Sequence, residues 1–115
     1  QQSARVFTRD LSLARANAIQ IRTNVVIRFS ENSLEYVVVN GQGRELARRH
    51  FGSGGDLVLD AMDLQTAGDS VVFNGRGLLD MSEITGSLGT ATFTGRSSTY
   101  IVLFNAAGVS RIDPS

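Results

Sequence analysis

An α+β domain, a long amphipathic helix laid against antiparallel β-sheets, is the fold class this sequence predicts. Three observations carry it. Phe7, Leu11, Ala14, Ala18, Ile21 and Val25 are spaced 4, 3, 4, 3 and 4, which traces one face of a helix. Beyond residue 24 the apolar period changes to two, the repeat of a half-buried strand. No second helical pattern follows, so the stripe must bury itself on a sheet. The 115 residues are material for a single domain, 1–115.

The helix is predicted over 1–24. Neither Pro nor Gly interrupts it, and Arg5, Arg9, Arg15 and Arg22 fall off the stripe, as on a solvated face. At 1.5 Å per residue it would be about 35 Å long, long for so small a domain. No capping box opens it, so it reads as the lower part of something longer. Residues 25–115 read as mainly β. Val25, Ile27 and Phe29 alternate with Val26 and Arg28, and Ser30-Glu31-Asn32-Ser33 reads as a turn. Leu34, Tyr36 and Val38 alternate next, and Asn40-Gly41 predicts a hairpin turn with φ > 0 at both positions. Arg44 to Phe51 is a polar return strand or a short helical turn. Gly52 to Gly55 reads as a loop, and Leu57 to Leu59 as a short apolar run. Ser70 to Phe73 is a strand closed by Asn74-Gly75, and Thr90 to Thr94 alternates weakly. Tyr100, Val102 and Phe104 share one face of a strand, with Ile101 and Leu103 on the other. Both faces are apolar, which predicts a central strand covered on both sides. Gly108 turns the chain into a last strand, Val109 to Ile112. The total is six or seven strands.

Composition excludes several chemistries. There is no Cys, hence no disulfide framework, thiolate zinc site or Cys nucleophile. A single His excludes a multi-His metal site. No stretch approaches the ~20 apolar residues of a membrane span, and none reads as a signal peptide. All 11 cations are Arg, with a net charge of zero. Residues 1–50 hold eight Arg against four acids (+4), and residues 51–115 hold three against seven (−4). Such a split can orient subunits head to tail.

Candidate sites are sparse. His50 has Ser53 as its nearest nucleophile in sequence, without the G-x-S-x-G elbow. Gly41-Gln42-Gly43 and Gly75-Arg76-Gly77 follow strands but lack the third glycine and the helix of a phosphate-binding loop. Asp56, Asp60 and Asp63, with Asp69 and Asp80 further on, supply hard-cation ligands, yet fit no EF-hand spacing. Arg44, Arg48 and Arg49 form one basic patch. Arg76, Arg96 and Arg111 form another if their strands adjoin, and clustered cations are what phosphates require. Nothing implies a cofactor, and no catalytic or metal site is predicted.

Three stretches carry a resemblance. The first is Leu11, then Ala14-Arg15-Ala16-Asn17-Ala18-Ile19, then Arg22-Thr23-Asn24-Val25-Val26-Ile27. The second is Val72-Phe73-Asn74-Gly75-Arg76-Gly77. The third is Tyr100 to Asn105 followed by Gly108-Val109-Ser110-Arg111-Ile112. In this order and spacing the chain resembles the GspH/FimT family, minor pseudopilins of type II secretion and minor pilins of type IV pili. The resemblance implies a pilin-like fold and a structural, non-enzymatic role in a pseudopilus or pilus, near the filament tip. It implies other pilins or pseudopilins as partners. It also implies a membrane anchor ahead of Gln1, processed and methylated, which would hold the protein in the bacterial inner membrane with its globular domain in the periplasm. On this reading Phe7, Leu11, Ala14, Ala18, Ile21 and Val25 pack the helix on the sheet. The alternative is a minor pilin that binds DNA during uptake, through Arg76, Arg96 and Arg111. Some FimT-like proteins do so with a C-terminal G-R-x-R; here Val109 takes the place of the first Arg, and half that charge is lost.

Overall fold

In the computed structural model, residues 2–51, 59–64, 70–80, 88–95 and 99–114 are described. The chain opens with α1 (Gln2–Ile21) and continues through β1 (Val25–Ser30), a 3-10 turn at Glu31–Ser33, β2 (Glu35–Asn40) and β3 (Glu45–His50). There follow β4 (Ala61–Leu64), β5 (Ser70–Phe73), β6 (Gly89–Thr94), β7 (Thr99–Phe104) and β8 (Ser110–Pro114). One antiparallel sheet has the order β3-β2-β1-β5 and the other β4-β6-β7-β8. The chain crosses to the second sheet at β4, returns to the first at β5 and crosses again at β6, so neither sheet is built from one continuous stretch.

The helix packs one face on both sheets. Phe7, Leu11, Ala14 and Ala18 are fully buried, and so is Val25, which belongs to β1 rather than to the helix. Ile21 is only half-buried. The strands answer with their alternate residues: Val25, Ile27 and Phe29; Tyr36 and Val38; Val71 and Phe73; Ala91 and Phe93; Val102 and Phe104. Phe7 is the centre of this core. Its ring stands 5.5 Å from Phe29 and 5.6 Å from Tyr36 on one sheet, and 5.5 Å from Phe93 and 6.0 Å from Phe104 on the other. Phe29 and Tyr36, direct partners across β1 and β2, stack at 5.2 Å. Edge-on and offset rings at these distances add to the burial of their area.

The helix ends at Ile21, three residues short of the predicted 24. Arg22 takes a left-handed conformation (φ 55°) and the Thr23 amide donates to the Ala18 carbonyl at 3.3 Å. This is the six-to-one bond of a Schellman cap, with arginine where glycine is the usual residue.

The hairpins depart from expectation in a uniform way. Asn40 and Gly41 both keep negative φ; the positive value falls at Gly43, 82°. Asn40 Oδ1 accepts from the amides of Gln42 and Arg44, and the Asn40 carbonyl accepts from Gly43. Asn74–Leu78 and Asn105–Val109 repeat the same bonds, with Gly77 at φ 80° and Gly108 at 79°. The asparagine side chain mimics a turn of backbone, and the glycine three residues on supplies the left-handed position. Asn-x-x-Gly is therefore the signal, rather than Asn-Gly. All three turns gather at the C-terminal end of α1. A side chain on Gly75 would come within 2.8 Å of the Arg22 backbone, and one on Gly77 within 2.6 Å of Ile19. Arg15 Nε donates to the Gly77 carbonyl at 3.1 Å.

β7 is an interior strand of its sheet, but it is not covered on both sides: Val102 and Phe104 are buried, whereas Ile101 and Leu103 are half-exposed. The described residues form eight strands, and Arg44 to Phe51 resolves into strand β3. The Gly52 to Gly55 loop and the start of the Leu57 run lie outside the described residues.

Candidate assembly surfaces

Two features stand out on and beside the helix. The first is an ion pair inside the core. Asp10 follows Phe7 by three residues and precedes Ala14 by four, so it borders the apolar stripe and is carried inward, 1% exposed. Arg49 of β3 meets it with both prongs, Nε at 2.9 Å and Nη2 at 3.0 Å, and the Tyr36 hydroxyl of β2 donates to Oδ2 at 2.5 Å. Both carboxylate oxygens are thus satisfied, as a buried charge requires. Burial, and then the neighbouring Asp10 carboxylate, push the Tyr36 phenol well above its usual range. The hydrogen bond from Arg49 to Asp10 raises the guanidinium further. The cluster ties α1 to two strands of one sheet.

The second feature is a groove of about 520 Å³ between α1 and the outer edge of β8. Arg5, Thr8, Arg9 and Ser12 line it from the helix, and Ser110, Arg111 and Ile112 from the strand. Among the described residues neither Arg5 nor Arg9 has an acid in ion-pair reach. Arg111 approaches only Asp113, at 3.6 Å, with both side chains exposed. A second, smaller hollow of about 230 Å³ adjoins it, lined by Leu88, Leu103, Asn105 and Val109 and sharing Ser110 and Arg111. Leu88 and Val109 are 42% and 66% exposed there.

One face of α1 is thus buried against both sheets and the other is exposed. The model of the family described as type II transport protein GspH matches residues 3–108. The chain belongs to the GspH family. Its fold is similar to that of the type IV minor pilin FimU of Pseudomonas aeruginosa strain PAO1, seen in two crystal forms. One gives a TM-score of 0.70 at 16% identity, covering 99% of this chain and 87% of that one. The other gives 0.68 at 18% identity, with 99% and 93% covered. None of the curated proteins matches. The chain thus has the pilin fold, one N-terminal helix on two antiparallel sheets, and is a minor pilin or pseudopilin, a structural subunit that assembles into a pilus or pseudopilus.

Of Arg76, Arg96 and Arg111, the first and last lie among the described residues. Arg111 lies in the groove beside helix residues 5–12. Arg76 lies in the Asn74–Leu78 turn, whose glycines pack on helix residues 15–22. Arg96 is outside the described residues. The basic patch at Arg44, Arg48 and Arg49 is largely spent: Arg48 pairs with Glu35 and Glu45, and Arg49 with Asp10.

His50 ends β3, exposed and opposite Glu35, while Ser53 lies outside the described residues. Asp60 and Asp63 are exposed at β4, and Asp56 and Asp69 are outside the described residues. No group of three or more acidic or His side chains able to hold a metal occurs among the described residues. Sequence reasoning missed the Asp10–Arg49–Tyr36 cluster. Its available signal was an acid at the border of an apolar stripe in a chain rich in arginine.

Proposed function

We propose that this GspH-family chain is a non-enzymatic subunit incorporated near the tip of a type II secretion pseudopilus or a type IV pilus. The observation that carries the reading is the division of α1. Phe7, Leu11, Ala14 and Ala18 are consumed by the domain's own sheets, while Arg5, Arg9, Leu13, Ala16 and Gln20 stay exposed along the opposite face. A helix with one face occupied and the other open is suited to packing beside neighbouring helices of the same kind. The likeness to a minor pilin supports low copy number, and low copy number supports a place near the tip.

The family resemblance further supports an inner-membrane location with the domain in the periplasm, reached through a processed and methylated apolar anchor. No helix among the described residues is long and apolar enough to cross a membrane. Mass spectrometry of the native protein from membranes tests the anchor: the expected N-terminus is a methylated residue followed by about 20 apolar residues. Quantifying copies per filament tests the tip. A number independent of filament length is expected, and a number that grows with length refutes a tip position.

A further inference from the structure

We propose that the groove between α1 and β8 is a docking site for an extended acidic segment of a neighbouring subunit. That the partner is a filament subunit rests on the function proposed above; the chemistry of the groove does not.

The strand edge comes first. β8 is the last strand of its sheet, so along its outer side half of its N–H and C=O groups face no strand among the described residues. Such an edge takes up an extended polypeptide by main-chain hydrogen bonds. Beside it, Arg5 and Arg9 stand one helical turn apart, about 6 Å along the axis. Alternate side chains on one face of a strand repeat at roughly 6.8 Å. A segment laid along β8 with carboxylates at every second position therefore carries them at a spacing close to the axial spacing of Arg5 and Arg9.

Arg111 adds a third cation from the strand side. Its contact with Asp113 is an exposed pair of the kind that contributes little, so its planar fork remains available for a bidentate partner. Ser12 and Ser110 place hydroxyls in the same groove. The adjoining hollow of Leu88, Leu103 and Val109 shares Ser110 and Arg111, so it offers an apolar seat to the next residue of the same segment. Duplex nucleic acid would use the arginines. It has no backbone N–H to offer β8 carbonyls and no apolar side chain for the hollow.

The test uses a fluorescent synthetic peptide that alternates Asp and Val, titrated into the domain by anisotropy at low and physiological salt. Controls are a Lys/Val peptide, an N-methylated Asp/Val peptide and a duplex oligonucleotide. The expected result is binding of the Asp/Val peptide, at least ~10-fold weaker with Arg5→Ser/Arg9→Ser, and amide shifts at residues 110–113. Both replaced residues are exposed, so the fold is retained and far-UV dichroism verifies it. Absence of binding, equal binding of the N-methylated or Lys/Val peptide, or preference for the oligonucleotide overturns the proposal. Filament incorporation of the wild-type chain is scored in parallel. A peptide that fails to bind a chain that does enter filaments overturns the groove alone. A chain that never enters filaments overturns the subunit reading, whatever the peptide does.

Discussion

Replacing Arg49 with Met tests the claim that the helix is fastened to the sheet by a buried charge pair. Asp10 is 1% exposed and accepts three hydrogen bonds, two from Arg49 and one from Tyr36. The substitution keeps the aliphatic stem and removes two of the three donors. Stranding a buried carboxylate in this way costs about 3–5 kcal/mol when its partner is also buried. Here the Arg49 side chain is 38% exposed, so water already screens one side of the pair, and about 2–3 kcal/mol is expected. That is a large part of the ~5–15 kcal/mol that holds a domain together. Asp10→Asn keeps an acceptor for Tyr36 and Arg49 and should cost less, about 1–2 kcal/mol. The double variant should fall short of the sum by at least ~1 kcal/mol, because each change removes the same interaction. Urea unfolding at neutral pH, followed by far-UV dichroism, measures all four proteins. A loss below ~0.5 kcal/mol for Arg49→Met, or strict additivity in the cycle, would refute the reasoning.

Further expectations follow from the core and the turns. Phe7→Ala empties the space shared by four aromatic rings and should destabilise by about 3–5 kcal/mol in the same urea assay. Arg22→Gly relieves a left-handed arginine at the helix cap and should raise stability by about 0.5–1 kcal/mol; a loss in melting temperature would contradict the cap. Gly77→Ala combines a positive φ with a Cβ pressed on Ile19 and should cost at least ~1 kcal/mol, read as a lower urea midpoint. The raised Tyr36 phenol predicts an alkaline limit. Below its unfolded value of 10.0 its contribution is complete. Above that value the unfolded chain gives up a proton that the folded chain keeps, so stability falls by up to about 1.4 kcal/mol per pH unit. Tyr36→Phe should remove that slope, measured by urea titrations between about pH 9 and 11.

Much of this architecture is legible before any coordinates. Phe7, Leu11, Ala14 and Ala18 announce their own burial through spacing alone, and Val25, Ile27 and Phe29 do so through alternation. Those signals are local, and local period is what a sequence states directly. What was hidden depends on pairing at a distance. Arg48 and Arg49 look like a basic patch until β3 sets them against Glu35, Glu45 and Asp10, the last of them 39 positions away. β4 could not be read from Ala61-Met62-Asp63-Leu64, because four residues carry too few periods to tell a strand from a loop. The asparagine turns are half-legible. The Asn-Gly dipeptide marks the place of two of them, but the glycine three residues beyond the asparagine sets the geometry.

The clasp around α1 also fixes how the domain resists tension. A force entering at the Gln2 end runs along the helix axis. Phe7, Asp10, Leu11, Ala14 and Ala18 are then loaded together in shear, whereas a sideways pull would peel them one after another. Extraction of the helix therefore has to break an aromatic cluster and a charged fork in a single event. The rate of that event is set by the unfolding barrier and not by the equilibrium stability. The same stripe that organises the core makes the domain a mechanical anchor for whatever pulls on its first helix.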